Sequence, residues 1–384
     1  MATKKLLIVT DVVFVPANEG NKKRILDLVC LYQSLGVEVH VLLVVNKRRN
    51  DLSELEELVC GRVSTCSRGG LDRLRVGVGR AFRFASAKLQ LNARRNYELD
   101  EWYCTSLDAA IFRLQEQFDF DYLQVEYLYF SRALLASGPR LKLLDAHDVF
   151  TDRWAIFPKG ERPNVWYSVS RSDEARGCGR SDCVIAISGP DANHFRSLGA
   201  QPTLLLDFIA PPKPTSYSVA GAFVFLGSGN RMNRSGLDWM IQKVLPKVLQ
   251  QEPGFKLRVA GSICNSTAPA EGVELLGVVD IDALFADASM MLNPVSIGSG
   301  LPIKNIDALS RGVPILCTPN AARGAECFIG TGVLIAEDES QFAGEVVSLL
   351  RDPARRADLS RRATAAYAAQ YTAARERLKF VLDL

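Results

Sequence analysis

Leu6-Leu7-Ile8-Val9-Thr10 is a short apolar run without alternation that stops at Asp11. Such a run predicts a parallel β-strand covered on both faces. A Pro/Asn/Gly loop follows over residues 16–20. Ile25, Leu28, Val29 and Tyr32 then recur at helical spacing, so a helix is predicted over residues 22–35, ended by Gly36. Residues 37–45 read as the next strand, which completes a βαβ unit with its right-handed crossover and a ligand crevice near the strand ends. A short acidic helix at 51–59, a helix at 107–117 and strands at 122–125, 141–144, 184–187 and 204–206 carry the alternation onward, with a helix at 191–198.

Pro211-Pro212-Lys213-Pro214 interrupts this pattern as a stiff linker. After it the pattern restarts. Strands are predicted at 222–226, 256–260, 273–276, 290–293, 313–317 and 332–335. Helices are predicted at 236–250, 282–288, 301–310, 341–350 and across most of 354–384. Two α/β domains in series follow: residues 1–212 and residues 213–365, with a terminal helix over 366–384.

Composition agrees with two cores rather than one. The chain has 384 residues, of which 48% are hydrophobic and 23% charged, and a formal net charge of only +3. That total does not suggest a nucleic-acid protein, and none is expected as a partner. The charge is unevenly placed, however: Arg62, Arg68, Arg73, Arg75, Arg80, Arg83, Lys88, Arg94 and Arg95 face a single acid, Asp72. Phe82, Phe84 and Leu89 are interleaved with them. This basic segment reads as a solvated arm, as a nucleic-acid site, or as an acceptor- or membrane-facing surface; the last is favoured, as a peripheral membrane contact through residues 62–95. The nine cysteines are scattered, and no pair has the two-residue gap of a zinc or redox motif, so they read as reduced structural thiols of a cytoplasmic protein. Residues 1–10 read as a first strand rather than a signal peptide, and no stretch approaches the roughly 20 apolar residues of a membrane span.

The segment richest in candidate chemistry runs Asn293-Pro-Val-Ser-Ile-Gly298-Ser299-Gly300-Leu-Pro-Ile-Lys304-Asn-Ile-Asp307-Ala-Leu-Ser-Arg-Gly312-Val-Pro. A strand enters a glycine-rich turn and a helix leaves it, so unpaired backbone amides at 298–301 can hold phosphate oxygens. Lys304 and Asp307 share a helix face. A cation there suits a diphosphate, and a carboxylate suits a ribose diol.

This segment resembles the donor-binding motif of the retaining two-Rossmann-domain (GT-B) glycosyltransferases of family 4, or group 1, used in bacterial cell-surface polysaccharide assembly. The resemblance extends to the Gly20 loop, to Asp145-Ala-His147-Asp148 and to Phe225-Leu-Gly227-Ser228. It implies two Rossmann-like parallel-sheet domains facing a central cleft, the first on the acceptor side and the second binding the nucleotide sugar, with the terminal helix over 366–384 crossing back to the first domain. It implies transfer from a nucleoside-diphosphate sugar to a saccharide or lipid-linked hydroxyl, with retention, without a metal and without a cofactor beyond the donor. His147 would meet the transferred sugar. Lys304 and Arg231 would act on the leaving diphosphate. Gly20, Asn233, Arg234, Gly298, Ser299, Gly300 and Asp307 would line the donor site. His40, within a strand, and His194, beside Phe195, read as structural, and the three histidines lack metal-site spacing.

The sequence departs from the family in two places. Many members carry two acids eight positions apart, where this chain has Ser299 and Asp307, and an arginine directly after the glycine matching Gly227, where it has Ser228. Two alternatives therefore stand beside the transferase: a nucleotide-sugar 2-epimerase of the same build, and a catalytically inactive relative that serves as an interaction protein. A dehydrogenase is disfavoured, because the first βα turn lacks the tight Gly-x-Gly-x-x-Gly pattern.

Overall fold

The computed structural model describes residues 3–17, 19–45, 51–88, 96–156, 166–200, 202–214, 220–296 and 302–384, with the backbone alone at 71, 83–88 and 156. It divides into two compact units, Met1–Asp207 with Glu376–Leu384, and Phe208–Arg375.

Among the described residues of the first unit, seven strands form one sheet: β1 (Lys5–Thr10), β2 (Glu38–Val45), β3 (Val63–Ser67), β4 (Tyr122–Glu126), β5 (Leu141–Asp145), β6 (Cys183–Ala186) and β7 (Thr203–Leu205), in the order β3-β2-β1-β4-β5-β6-β7. Every pairing is parallel. Leu6, Ile8 and Val9 are fully buried, as a strand covered on both faces requires. Helices α1 (Gly20–Ser34), α2 (Ser53–Leu58), α3 (Gly70–Lys88), α4 (Ser106–Phe118), α5 (Arg171–Cys178) and α6 (Gly189–Ser197) connect the strands. On α1 the predicted face Ile25, Leu28, Val29 and Tyr32 is buried, and Arg24 and Asp27 are buried with it.

The second unit repeats the plan with β8 (Ala222–Leu226), β9 (Leu257–Ala260), β10 (Val273–Gly277), β11 (Ala288–Asn293), β12 (Ile315–Cys317) and β13 (Val333–Ile335), in the order β10-β9-β8-β11-β12-β13 and again all parallel. Its helices are α7 (Arg231–Trp239), which runs through a π turn at Met240–Val244 into α8 (Leu245–Leu249), then α9 (Ile281–Ala286), α10 (Ile303–Ser310), α11 (Glu339–Arg351) and α12 (Pro353–Leu382). In each sheet the order reverses beside the first strand, between β1 and β4 and between β8 and β11. That switch point is where a doubly wound sheet leaves a ligand crevice at the carboxyl ends of its strands. The α/β class with two Rossmann-like sheets is the one the hydrophobic pattern predicts. The last turns of α12 belong to the first unit, where Arg377 Nε donates to Leu205 O at 3.1 Å and Tyr122 Oη donates to Leu382 O at 2.6 Å.

Three local expectations are corrected. The basic segment, for which no strand or helix was predicted, holds β3 and α3. The helix predicted from 236 starts at Arg231, because Asn230 caps it by accepting from Asn233 N at 2.9 Å. Helix α5 was not predicted, since its sequence has no apolar period; Ser170 caps it through Asp173 N.

Candidate functional site

In the second unit, β8 ends at Leu226 and the chain turns through Gly227-Ser228-Gly229 toward α7. Gly261, just past β9, has φ +103°, and a Cβ there would run into the carbonyl oxygen of Gly227. Two glycines thus let neighbouring loops touch backbone to backbone at the carboxyl edge of the sheet. Asn233, on the first turn of α7, is buried against this loop, its Nδ2 donating to Ser228 O at 3.1 Å and to Ser228 Oγ at 3.2 Å. Its Oδ1 accepts from Lys304 Nζ at 2.6 Å, and that ammonium lies 4.8 Å from the centroid of the Phe225 ring. Among the described residues no carboxylate offsets the charge of Lys304, and burial alone lowers its pKa to about 7. Lys304 is therefore a cation placed among an amide and an aromatic face, where an anion would restore its ordinary protonation.

Asp307, one turn on along α10, lies in a different setting. It is buried, with its Oδ1 3.6 Å from Arg311 Nη1. Arg311 also donates to Asp307 O at 2.9 Å and through Nε to Asp282 at 2.8 Å. Lys304 and Asp307 share a helix but not an environment. Arg234 donates to Ser266 O at 2.9 Å, and Arg231 is exposed at the start of α7. The two arginines line an open hollow of about 440 Å³ with Asp238, Trp239 and Lys243. Gly298, Ser299 and Gly300 lie outside the described residues.

The first unit gathers its polar groups at the matching place, past β1, β4 and β5. Gly20 is exposed at the first position of α1, whose N-cap Glu19 makes no side-chain capping bond. His147 follows β5 in the left-handed region, with φ +60°. Its ring stacks on Tyr127 at 4.0 Å between centroids, and its Nε2 bonds Glu126 Oε2 at 2.6 Å. Gln124 Nε2 donates to the other oxygen of Glu126, and Tyr32 Oη donates to Gln124 Oε1, so a buried chain runs Tyr32–Gln124–Glu126–His147. Arg24 clasps Asp145 with Nε at 3.1 Å and Nη2 at 3.2 Å, and its Nη1 donates to Leu206 O at 2.7 Å. Two acids and one guanidinium leave one positive charge wanting. Burial pushes Glu126 up. Burial also opposes charge on His147, but Asp145 and the Glu126 hydrogen bond outweigh it and raise the imidazole. The pair retains one proton where a free histidine would have lost it.

Glu126, Asp145 and His147 each bring a possible ligand atom within 4.8 Å of the others. A cation among them would face the Arg24 guanidinium, which already engages both Asp145 oxygens, so the donor set suits a proton better than a metal. His40 and His194 have structural partners, Glu38 at 2.9 Å and Glu174 at 2.8 Å.

Arg24, Gln124 and Glu126 escaped the sequence reading. Their signal was present: a Gln and a Glu two apart in an otherwise apolar strand, and an arginine on the apolar side of α1.

Residues 220–352 match the family described as Glycosyl transferases group 1. An uncharacterized 44.6 kDa protein in the cps region of Klebsiella pneumoniae is 22% identical over 372 residues, covering 90% of each chain. Sucrose-phosphate synthase from Thermosynechococcus elongatus superposes with a TM-score of 0.65 at 15% identity, covering 98% of each chain. HepE from Anabaena, solved in complex with UDP, superposes with a TM-score of 0.63 at 14% identity, covering 99% of each chain. The fold is that of the GT-B glycosyltransferases, and the second unit carries the group 1 sequence pattern. The chain is accordingly a nucleotide-sugar glycosyltransferase, as the resemblance in its sequence implies.

Proposed function

We propose that this enzyme moves a glycosyl group from a nucleoside-diphosphate sugar to a hydroxyl of a saccharide or lipid-linked acceptor, with retention and without a metal. The observation that carries this reading is Lys304, a buried cation with no acid beside it among the described residues. As the donor's glycosidic C–O bond breaks, negative charge grows on the departing diphosphate. An ammonium fixed by Asn233 and Phe225 in a poorly solvated site stabilises that charge more than water would. The backbone amides of residues 298–301 and of Gly20 are the proposed further phosphate contacts. Arg231 and Arg234 are outer contacts, and Arg234 would have to leave Ser266 to serve. Asp307 is proposed to offer one oxygen to the ribose while the other meets Arg311.

His147 has its Nε2 engaged by Glu126, so Nδ1 is the atom proposed to meet a hydroxyl of the transferred sugar. Glu126 is a positioning residue, holding the ring and its proton. The proton of the acceptor hydroxyl passes to the departing phosphate as the new C–O bond forms, and no protein base is assigned. A bound UDP in the HepE structure supports a uridine donor, and the cps-region name of the Klebsiella relative supports surface-polysaccharide assembly. Among the described residues no helix is long and apolar enough to cross a membrane. We assign the enzyme to the cytoplasmic face.

The test is a thermal-shift screen with UDP, GDP, ADP, CMP and their common sugar conjugates, followed by transfer assays with and without a chelator. A selective rise with one nucleotide is expected, about 2.7 kcal/mol at a hundredfold excess over Kd. No rise with any nucleotide would refute the donor site. Sugar turnover in the absence of acceptor would instead identify an epimerase.

A further inference from the structure

Helix α3 is built inside out. Asp72, Val76 and Gly79 occupy one side of it. Asp72 is buried, and its carboxylate accepts from Gly69 N and Thr105 N, each at 3.3 Å. Gly79 lies against Glu101, where a side chain would collide with the carboxylate. These contacts fasten the helix to the segment around residues 101–105. The opposite side of a helix that faces water should be polar. Instead Leu74, Val78 and Phe82 stand there 63%, 61% and 60% exposed. At four-residue steps each is rotated only about 40° from the last, so the three form a single apolar row.

Arg73 and Arg80 flank the row on one side and Arg75 on the other, all exposed. Arg75 pairs with Glu98 at 3.8 Å, with both side chains exposed. Asp72, the sole acid between Arg62 and Arg95, faces inward, so the exposed charges that α3 itself contributes beside the row are the arginines. Phe84 and Leu89, grouped with this row in the sequence, lie outside what is described of side chains.

We infer that α3 docks this enzyme on a bilayer surface bearing anionic phospholipids. The apolar row enters the boundary between headgroups and acyl chains while the arginines meet lipid phosphates. Charge complementarity selects this occupant. An apolar row bordered on both sides by arginines matches an interface that is greasy below and anionic above. A nucleic-acid backbone has no use for the leucine, valine and phenylalanine. This inference concerns the first unit alone and stands apart from the donor site.

The full-length protein is to be floated with vesicles of phosphatidylcholine, with and without a minority of phosphatidylglycerol, at low and high salt. Binding is expected only with phosphatidylglycerol and is weakened by salt. Replacing Arg73, Arg75 and Arg80 by Gln lowers partitioning on the order of 100-fold at low salt, at roughly fivefold for each arginine near the surface. Replacing Leu74, Val78 and Phe82 by Ser abolishes the fraction that survives at high salt. Both sets leave the melting temperature and its response to nucleotide unchanged, since the substituted side chains are exposed. Absence of binding, equal binding to uncharged vesicles, or binding indifferent to the serine variant would overturn the inference. So would a self-associated species that the serine variant dissolves, or capture of an oligonucleotide that only the glutamine variant loses.

Discussion

Lys304, in its proposed role, illustrates how a single residue can serve binding at the expense of the unliganded fold. Its folded pKa of about 7 lies below the ordinary 10.5, so the unfolded chain holds the extra proton between those values. Stability in the absence of ligand therefore rises with pH across that window through this group. In the proposed donor site nucleotide binding needs the ammonium, so Kd should rise up to about tenfold per pH unit above about 7, and calorimetry in buffers of different ionisation enthalpy should show proton uptake. Lys304→Met should remove both effects. It should leave the ligand-free melting temperature at pH 6 no lower than wild type, because an uncompensated buried charge is gone. A pH-independent Kd in the wild type would refute the assignment.

The Glu126–His147 pair makes the complementary case. His147 is held protonated above its ordinary range by Asp145 and Glu126 against the opposing effect of burial. The stability it contributes is fully present below the unfolded pKa and is lost as pH rises through the folded value. Glu126→Gln should lower kcat about 100-fold through a misplaced ring, with little change in donor KM, and should shift the pH profile to lower pH. Glu126→Asp should restore part of the rate and of the profile. A profile unmoved in Glu126→Gln would leave Glu126 with a packing role only.

At the scale of elements, the turn after β8 depends on close backbone approach. Gly261→Ala combines a positive φ with a collision against the Gly227 carbonyl, so it should cost about 1–3 kcal/mol. It should also weaken nucleotide binding, because Ser228 and Asn233 move with that loop. Chemical denaturation and calorimetry on one sample would separate the two effects; a variant as stable as wild type would contradict the packing described. Asn230, which starts α7 five residues earlier than hydrophobic spacing alone suggests, shows why helix starts are better sought in capping side chains than in apolar periodicity. Helix α3 shows the converse. Its period was present in Leu74, Val78 and Phe82, but with the apolar side turned outward the segment did not read as an element of the core.

At the scale of the molecule, both units share one strand order, and the chain leaves the second to end in the first. Leu378 and Leu382 are fully buried in that returning stretch. Leu378→Ala should therefore destabilise the first unit by about 2–5 kcal/mol and leave nucleotide binding by the second intact. Loss of nucleotide binding together with stability would tie the two functions more closely than proposed. The sequence by itself determined the two-sheet α/β architecture and the glycosyltransferase resemblance. Continuous apolar runs such as Leu6–Val9 admit little but buried parallel strands, and the second-unit pattern is local in sequence. Tertiary structure alone decided what surrounds each polar residue. Arg24, Glu126 and His147 meet although more than a hundred positions separate the first from the others, and Lys304 parts company with Asp307 three residues away. The reason is physical: strand and helix periods are fixed by neighbours along the chain, whereas a charge takes its character from whatever the fold brings within a few ångströms of it.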